Sequence, residues 1–476
     1  MKLSALLSSI GITEIKEDVE ISFITDNSKE CKENTLFVCH EGAEKYIDEA
    51  RKNGAAAVLS SSGAKKSYAY HETRKAFAAL CRFFFGYPDK KLRLVAVTGT
   101  CGKTTTASML SFILNLSGKK TGLISSAVNR IFEDREATMT TPDPFYIAQS
   151  LFELSKKGGE YCVVEASSQG IEQERLFGLE FETAVFTNLT EDHLDYHKTK
   201  ENYKNAKKKL FSHCKTAVLN FDDPCFAEFS KTAKEANADV LSFSQKSDDA
   251  NFTAKNICVS EEKIDYILVS NALIQRFRLN LRGEFNVENA LAATVAAYNC
   301  GIGIENAADI LKNFSSVKGR MEILDTDTPF RVIIDYAHTP DSLRRSLLSL
   351  KRFCKNRLIL LFGCGGEREK EKRAKMGEIA VNFADVVFVT NDNPRNENAQ
   401  DIIDDILSGT RGTKTPVFVR ENRKDAISLA LKTAKDGDIL LLSGKGHEKF
   451  QQIGNEKIPF DEREIVKEEL KKAKNK

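Results

Sequence analysis

The sequence predicts an α/β protein of three consecutive units, a small mixed one first and two longer repetitive ones after it. Short apolar runs alternate with helical periodicity over two long stretches. Two breaks interrupt that rhythm, Tyr87-Pro88-Asp89 and Val317-Lys318-Gly319-Arg320. The length, 476 residues, also exceeds what one core organises. In residues 1–90, segments 35–38 and 55–59 suit strands, and 46–52 and 72–84 suit helices. From 91 to 318 the strand candidates are 95–97, 121–124, 161–165, 183–188 and 217–220, with helical segments between them. That alternation predicts a doubly wound sheet with helices on both faces. Residues 255–282 add two or three alternating segments, and 289–298 reads as an alanine-rich, tightly packed helix. From 319 to 476, candidates 331–335, 357–362, 386–390, 417–419 and 438–442 repeat the pattern in a second α/β domain.

Composition works by exclusion. A net charge of +2, with 29% charged residues, leaves no electrostatic footprint for nucleic acid or an anionic membrane. No apolar run approaches a membrane span, and the start, Leu3 to Ile12, is broken by serines without a clean cleavage site. A cytoplasmic protein without stable membrane insertion is expected. Eleven cysteines without metal or disulfide spacing fit a reducing compartment. Cys364, set between glycines, is expected to be exposed.

Ligands of open α/β sheets bind beyond the carboxyl ends of strands, so the residues following each strand carry most of the functional information. Strand 95–97 runs into Gly99-Thr100-Cys101-Gly102-Lys103-Thr104-Thr105. This is a variant phosphate loop, since the first glycine of GxxxxGK[ST] is replaced by Val97. Gly99 and Gly102 permit a tight turn of phosphate-facing N–H groups, Lys103 adds a point charge, and Thr104 offers a hydroxyl for Mg²⁺. The helix that follows turns its N-terminus to the anion, so ATP or GTP is the implied partner. Glu165 ends its strand as a candidate Mg²⁺ ligand, the alternative there being a helix cap from Ser167 or Ser168. His193 sits in an acid- and histidine-rich strand end and suits a Mg²⁺ ligand or a phosphate-orienting group. Of Lys207, Lys208 and Lys209, only one can point back from an otherwise solvated face. Asn286 and Asn289 suit an N-cap or an amide contact, while Asp335 and His338 suit nucleotide contacts at a domain interface. In the last unit, Arg368, then Asp392-Asn393-Pro394-Arg395, then Gly444 and Glu448 follow three strands. Together they offer cations for an amino acid's carboxylate and acids or amides for its ammonium.

Nine segments occur in the order found in the Mur ligases of peptidoglycan synthesis: GTCGKTTT, EASSQG, TNLTEDHLDYH, GEFNVENA, GRME, DYAHTPD, GCGGERE, DNPR and GKGHE. The chain resembles that family over essentially its whole length. The resemblance implies an N-terminal domain for a uridine nucleotide (1–90), a central ATPase (91–318) and a C-terminal Rossmann-like domain (319–476). It also implies ATP-dependent amide ligation through an acyl phosphate, by a monomer. The pattern is most similar to the members that extend UDP-N-acetylmuramoyl-L-alanyl-D-glutamate by the third stem-peptide residue.

Carried onto this sequence, the resemblance puts ATP phosphates on Gly99, Thr100, Gly102, Lys103, Thr104 and Thr105. Mg²⁺ falls to Thr104, Glu165, His193 and Lys207, the last as its carbamate, and Lys103, Glu165, His193 and Lys207 are the implied catalytic set. Asn286, Asn289, Arg320, Asp335 and His338 would bind or close over ATP. Ser28, Thr140, Thr141, Ser167, Gln173 and Arg175 would hold the muramoyl dipeptide, and Arg368, Asp392, Asn393, Arg395, Gly444 and Glu448 the incoming amino acid. Arg395 favours meso-diaminopimelate over L-lysine, because a ligand lacking the second carboxylate leaves that guanidinium unpaired. The alternatives are an L-lysine-adding ligase and a folylpolyglutamate-synthetase-like ligase. The sequence departs from the family pattern at Cys101, at Asn27-Ser28-Lys29 and at Gln169. Asn396-Glu397-Asn398-Ala399, after DNPR, is expected to leave the far side of that loop less rigid.

Overall fold

The computed structural model describes residues 1–131, 133–135, 139–271 and 273–474. Three main sheets follow one another along the chain. The first pairs Phe23–Thr25, Thr35–Cys39, Ala55–Ser60 and Tyr68–Ala69 in that order, all parallel. Helices Leu3–Ser8 and Thr73–Phe84 close its core, where Leu6, Leu36, Leu59 and Leu80 are fully buried.

Among the described residues the second sheet has eleven strands. Its parallel centre runs Asp239–Ser244, Cys214–Asn220, Phe181–Phe186, Arg93–Thr98, Tyr161–Glu165, Thr121–Ile124. Strand Arg93–Thr98 lies between two strands that come later in the chain, which makes its carboxyl end a topological switch point. Val95, Ala96 and Val97 are fully buried, since strands covered on both faces need no polar alternation. The sheet is not doubly wound throughout. Segment 255–282 forms antiparallel strands, Ile264–Ser270 between Phe252–Val259 and Leu273–Leu279, that extend one edge. Helix Phe285–Asn299 packs its buried alanines against helix Lys103–Leu116 and this extension.

The third sheet runs Glu322–Leu324, Arg331–Asp335, Ile439–Ser443, Leu358–Phe362, Val386–Val389, Val417–Val419, parallel except for its first strand. A hairpin, Phe450–Ile453 with Glu456–Pro459, stands beside it. Two expectations are corrected here. Cys364 is buried, its Sγ 3.7 Å from Met376 Sδ, and burial pushes its thiol up to about 12. The loop after DNPR is fastened: Glu397 accepts the Glu367 N–H at 2.5 Å and Arg373 Nη2 at 2.9 Å. Among the described residues, no helix is long and apolar enough to cross a membrane.

Candidate active site

Strand register builds the site. Val97 pairs with Glu165 and Thr98 with Phe186, so the loop after strand Arg93–Thr98 emerges between Glu165 and Asn188. Gly99 (φ +149°) and Gly102 (φ +85°) are required there: a Cβ would lie 1.9 Å from Thr187 Oγ1 and 2.2 Å from Asn289 Oδ1 respectively. Asn188 holds the loop, its Oδ1 accepting the Cys101 N–H at 2.9 Å and its Nδ2 donating to Cys101 O at 3.3 Å. Lys103 Nζ donates to the carbonyls of Gly99 (3.0 Å) and Thr100 (2.8 Å). Burial pushes the Cys101 thiol up to about 11, which makes it a poor nucleophile.

Glu165 is fully buried. Its Oε1 accepts the Ser126 N–H at 3.1 Å and its Oε2 the Thr104 hydroxyl at 3.2 Å. Burial raises its carboxyl pKa, with Lys103 and Arg320 pulling the other way. No group of three or more His, Cys, Asp or Glu that could cage a metal occurs among the described residues. A carboxylate beside a threonine hydroxyl at a helix N-terminus instead fits Mg²⁺, which takes one or two protein oxygens and the rest from phosphates and water.

His193 has a left-handed backbone (φ +57°), and its N–H donates to Asp192 Oδ1 at 2.8 Å. Burial lowers its imidazole pKa to about 4 despite the Asp192 carboxylate, so the ring is neutral and keeps a lone pair. Lys207 is the one lysine of its run that turns inward. It is 1% exposed, and its Nζ donates to Gly99 O at 2.7 Å, behind the phosphate loop. Burial, with Lys103 nearby, holds its pKa well below the ordinary lysine range. Lys208 and Lys209 pair outward with Glu228 and Glu172.

Across the loop stands the third sheet. Arg320 Nη2 donates to Thr104 Oγ1 at 3.1 Å, and its guanidinium lies 4.3 Å from the centre of the Tyr336 ring. Asp335 is buried, accepting the N–H groups of Met321 and Tyr336 and the Ser346 hydroxyl, and burial raises its carboxyl pKa. His338 Nδ1 lies 2.7 Å from Tyr336 O. Asn286 and Asn289 sit inside helix Phe285–Asn299 rather than capping it, with Asn289 Nδ2 donating to Asn286 Oδ1 at 2.9 Å. These groups, with Thr100, Thr105 and Thr140, line a cleft of ≈ 450 Å³ between the second and third sheets.

A second group borders it. Thr141 Oγ1 donates to Glu165 O at 2.7 Å, and Arg175 donates to Thr141 O at 2.5 Å and Gln173 Oε1 at 2.7 Å. Ser167 caps helix Ser168–Glu172, as the alternative reading of that segment had it. Ser28 lies apart from the cleft, its hydroxyl bonded to Glu49 at 2.5 Å.

The third group lies at the strand ends of the last sheet. Asn393 Nδ2 and the buried Lys445 Nζ both donate to Glu448 Oε2, at 3.0 and 2.9 Å. Arg395 Nη1 donates to Gly366 O at 2.7 Å, and Arg368 is exposed on the neighbouring loop. Asp392 Oδ2 is buried without a hydrogen-bond partner, and a Cβ on Gly444 (φ +112°) would lie 2.8 Å from it. Burial opposes ionisation of Asp392, but Lys445 and Arg423 hold its pKa below the usual value. An unpartnered anion near two guanidiniums suits a zwitterion with an additional carboxylate.

Both larger units match known proteins. Residues 97–297 match the Mur ligase middle domain and 319–446 the Mur ligase glutamate ligase domain. A UDP-N-acetylmuramoyl-L-alanyl-D-glutamate–2,6-diaminopimelate ligase of Clostridium acetobutylicum is 39% identical over 99% of both chains. Its counterpart in Listeria monocytogenes is 37% identical over 97% of both. The chain belongs to the Mur ligase family. A solved structure of a ligase with that same title superposes with TM-score 0.68 at 29% identity over the whole of both chains. The MurF of Acinetobacter baumannii shares the fold, with TM-score 0.67 at 19% identity, covering 100% of this chain and 99% of that one. So does a folylpolyglutamate synthase of Mycobacterium tuberculosis, with TM-score 0.64 at 17% identity, over 78% of this chain and 92% of that one.

Several groups in this Mur ligase were not singled out from sequence. Ser126 follows strand Thr121–Ile124, so the strand-end rule already pointed to it. Asn188, Glu288 and Arg345 also line the cleft; Asn188 Nδ2 donates to Glu288 Oε1 at 2.9 Å, and Arg345 lies 3.9 Å from Glu288 Oε2. Arg373 sits in lysine-rich, solvent-like surroundings in the sequence and nothing local marks it as buried, whereas Lys445 follows the apolar strand Ile439–Ser443, where the strand-end rule pointed.

Proposed function

We propose that this Mur ligase joins meso-diaminopimelate to UDP-N-acetylmuramoyl-L-alanyl-D-glutamate at the expense of ATP. The observation that carries the reading is the pairing of two sites in one chain. A phosphate loop with a buried carboxylate faces Arg320 from the next unit, and an acid-and-arginine group lies at the strand ends beyond. Residues 1–90 would hold the uridine nucleotide, 91–318 ATP, and 319–476 the amino acid.

In this reading Lys103, the N–H groups of the loop and Arg320 hold the triphosphate, and Asn286, Asn289, Asp335 and His338 close over the nucleoside. Thr104, Glu165, His193 and carbamylated Lys207 would hold Mg²⁺, which supplies charge neutralisation of the phosphates when bound. Lys207 fits that role because a neutral amine is the form that takes up CO₂, and burial depresses its pKa. The glutamyl carboxylate, positioned by Thr140, Thr141, Ser167, Gln173 and Arg175, attacks the γ-phosphate, and ADP departs. The acyl phosphate then meets the amine, whose carboxylates pair with Arg368 and Arg395. A tetrahedral intermediate expels inorganic phosphate, and the amine loses a proton. Alignment and charge neutralisation do the catalytic work, since phosphorylation has already replaced a poor leaving group. The protein would act as a cytoplasmic monomer.

The test supplies purified protein with Mg-ATP and the UDP-muramoyl dipeptide, then compares meso-diaminopimelate with L-lysine. Tripeptide formed with diaminopimelate supports the reading. A preference for lysine overturns the pocket assignment. Turnover only with a folate substrate would favour the folylpolyglutamate alternative, whose fold likeness covers 78% of this chain.

A further inference from the structure

The two loops that carry Arg368 and Arg395 are bound to each other, and the binding converges on a buried guanidinium the mechanism above does not use. One loop follows strand Leu358–Phe362 and the other follows Val386–Val389. They approach so closely that a Cβ on Gly366 would lie 1.9 Å from Pro394 O. Hydrogen bonds span the gap. Gly366 N–H donates to Asn393 O at 2.9 Å, Arg395 Nη1 to Gly366 O at 2.7 Å, and Asn396 Nδ2 to Glu367 Oε1 at 2.8 Å. Glu367 N–H donates to Glu397 Oε1 at 2.5 Å.

Behind them lies Arg373, on helix Glu371–Phe383, with no exposed side-chain surface. Its Nη2 donates to Gly365 O at 3.3 Å and to both Glu397 oxygens, at 3.1 and 2.9 Å. Its Nη1 donates to Asp405 Oδ2 at 3.0 Å. One side chain thus touches the first loop directly and the second through Glu397.

The arrangement answers an electrostatic problem. Arg368 is, after burial, the largest influence disfavouring the charged form of Arg395, so the two cations repel. Like charges on adjacent loops drift apart unless the scaffold opposes it. We propose that Arg373 and Glu397 are positioning residues that hold these loops in register, fix the spacing of Arg368 and Arg395, and so set selectivity for an amino acid with two carboxylates. The inference rests on the diaminopimelate reading given above.

The experiment compares wild type with Glu397→Gln and Arg373→Lys. It measures initial rates against each substrate, with meso-diaminopimelate and L-lysine in parallel, and a thermal melt of each variant. In Glu397→Gln the KM for meso-diaminopimelate should rise roughly tenfold, and selectivity over lysine should fall by a similar factor, because one charge-assisted partner is lost. The KM for ATP should stay within about twofold, since the nucleotide cleft is untouched. A merely structural role would lower Tm without splitting the KM values. Asp405→Asn serves as control: it takes a charged partner from buried Arg373 without touching either loop, so Tm should fall while selectivity stays within about twofold. If Arg373→Lys does not fold, Glu397→Gln, on the loop, still decides. Unchanged selectivity in folded Glu397→Gln overturns the positioning role alone. A wild-type preference for lysine overturns the diaminopimelate reading, and this inference with it.

Discussion

Lys207 and Glu165 are ionisable side chains held where charge is costly, and each yields an expected outcome. Lys207 is buried behind the loop with its amine on the Gly99 carbonyl, so it can contribute to the phosphate site without touching the outer surface. Lys207→Ala should lose at least about a hundredfold in kcat, in line with removal of a preorganised charge, while ADP binding measured by calorimetry is largely kept. Full ligation in that variant would contradict the carbamate assignment. Glu165 has its carboxyl pKa raised by burial, so protons compete with the metal there. As pH falls through that raised value the acid becomes neutral and draws Mg²⁺ less strongly. The Mg²⁺ concentration for half-maximal ADP formation should therefore rise as pH is lowered towards that value, and Glu165→Gln should lose most of that dependence.

The phosphate loop and its supporting helix form the element on which the rest depends. Gly102 combines a left-handed φ of +85° with a near contact to Asn289 Oδ1, so Gly102→Ala pays both backbone strain and a clash. Nucleotide affinity should drop at least about tenfold, and Tm should fall with it, because the folded state alone bears the strain and the clash with buried Asn289. Elements of this kind were legible in the sequence. Buried parallel strands leave unbroken apolar runs, and the residues after them form the cleft, so Gly99, Lys103, Thr104, Glu165 and Asp335 were within reach. Among the strands that escaped were Phe23–Thr25, too short for periodicity, and Asp239–Ser244, where serines dilute the apolar signal. Arg373 and Arg423 escaped for another reason. Their burial comes from loops distant in sequence that fold over them, as when Arg423 donates to Asn391 O and Ser443 O at 3.1 and 2.8 Å. No local pattern records such a partner.

At the scale of the molecule, the central feature is a cleft whose walls belong to different sheets. Arg320 and the Gly319 that precedes it carry the chain across: Gly319 has φ +72°, and a Cβ there would lie 2.2 Å from the His447 N. His447 belongs to the same junction, and burial, with Arg320 adding, lowers its pKa to about 3. His338 is lowered too, by burial first and Lys372 second. Both rings are neutral in the fold and take up protons in the unfolded chain between their ordinary value near pH 6.5 and their folded values. Unfolding then binds protons, so these groups make stability fall as pH drops below about 6.5. Tm should decline between pH 7 and pH 4.5, and His447→Gln should decline less steeply. A slope unchanged in that variant would contradict the assignment.

The most direct test of the central claim, that ATP activates a carboxylate in this cleft before an amine attacks, is isotopic. The UDP-muramoyl dipeptide is prepared with both oxygens of its terminal glutamyl carboxylate as ¹⁸O, and the inorganic phosphate released during ligation to meso-diaminopimelate is analysed by mass spectrometry. An acyl phosphate leaves with one of those oxygens, so one ¹⁸O per phosphate is the expected result. Phosphate released without label, while the amide still forms, would contradict it.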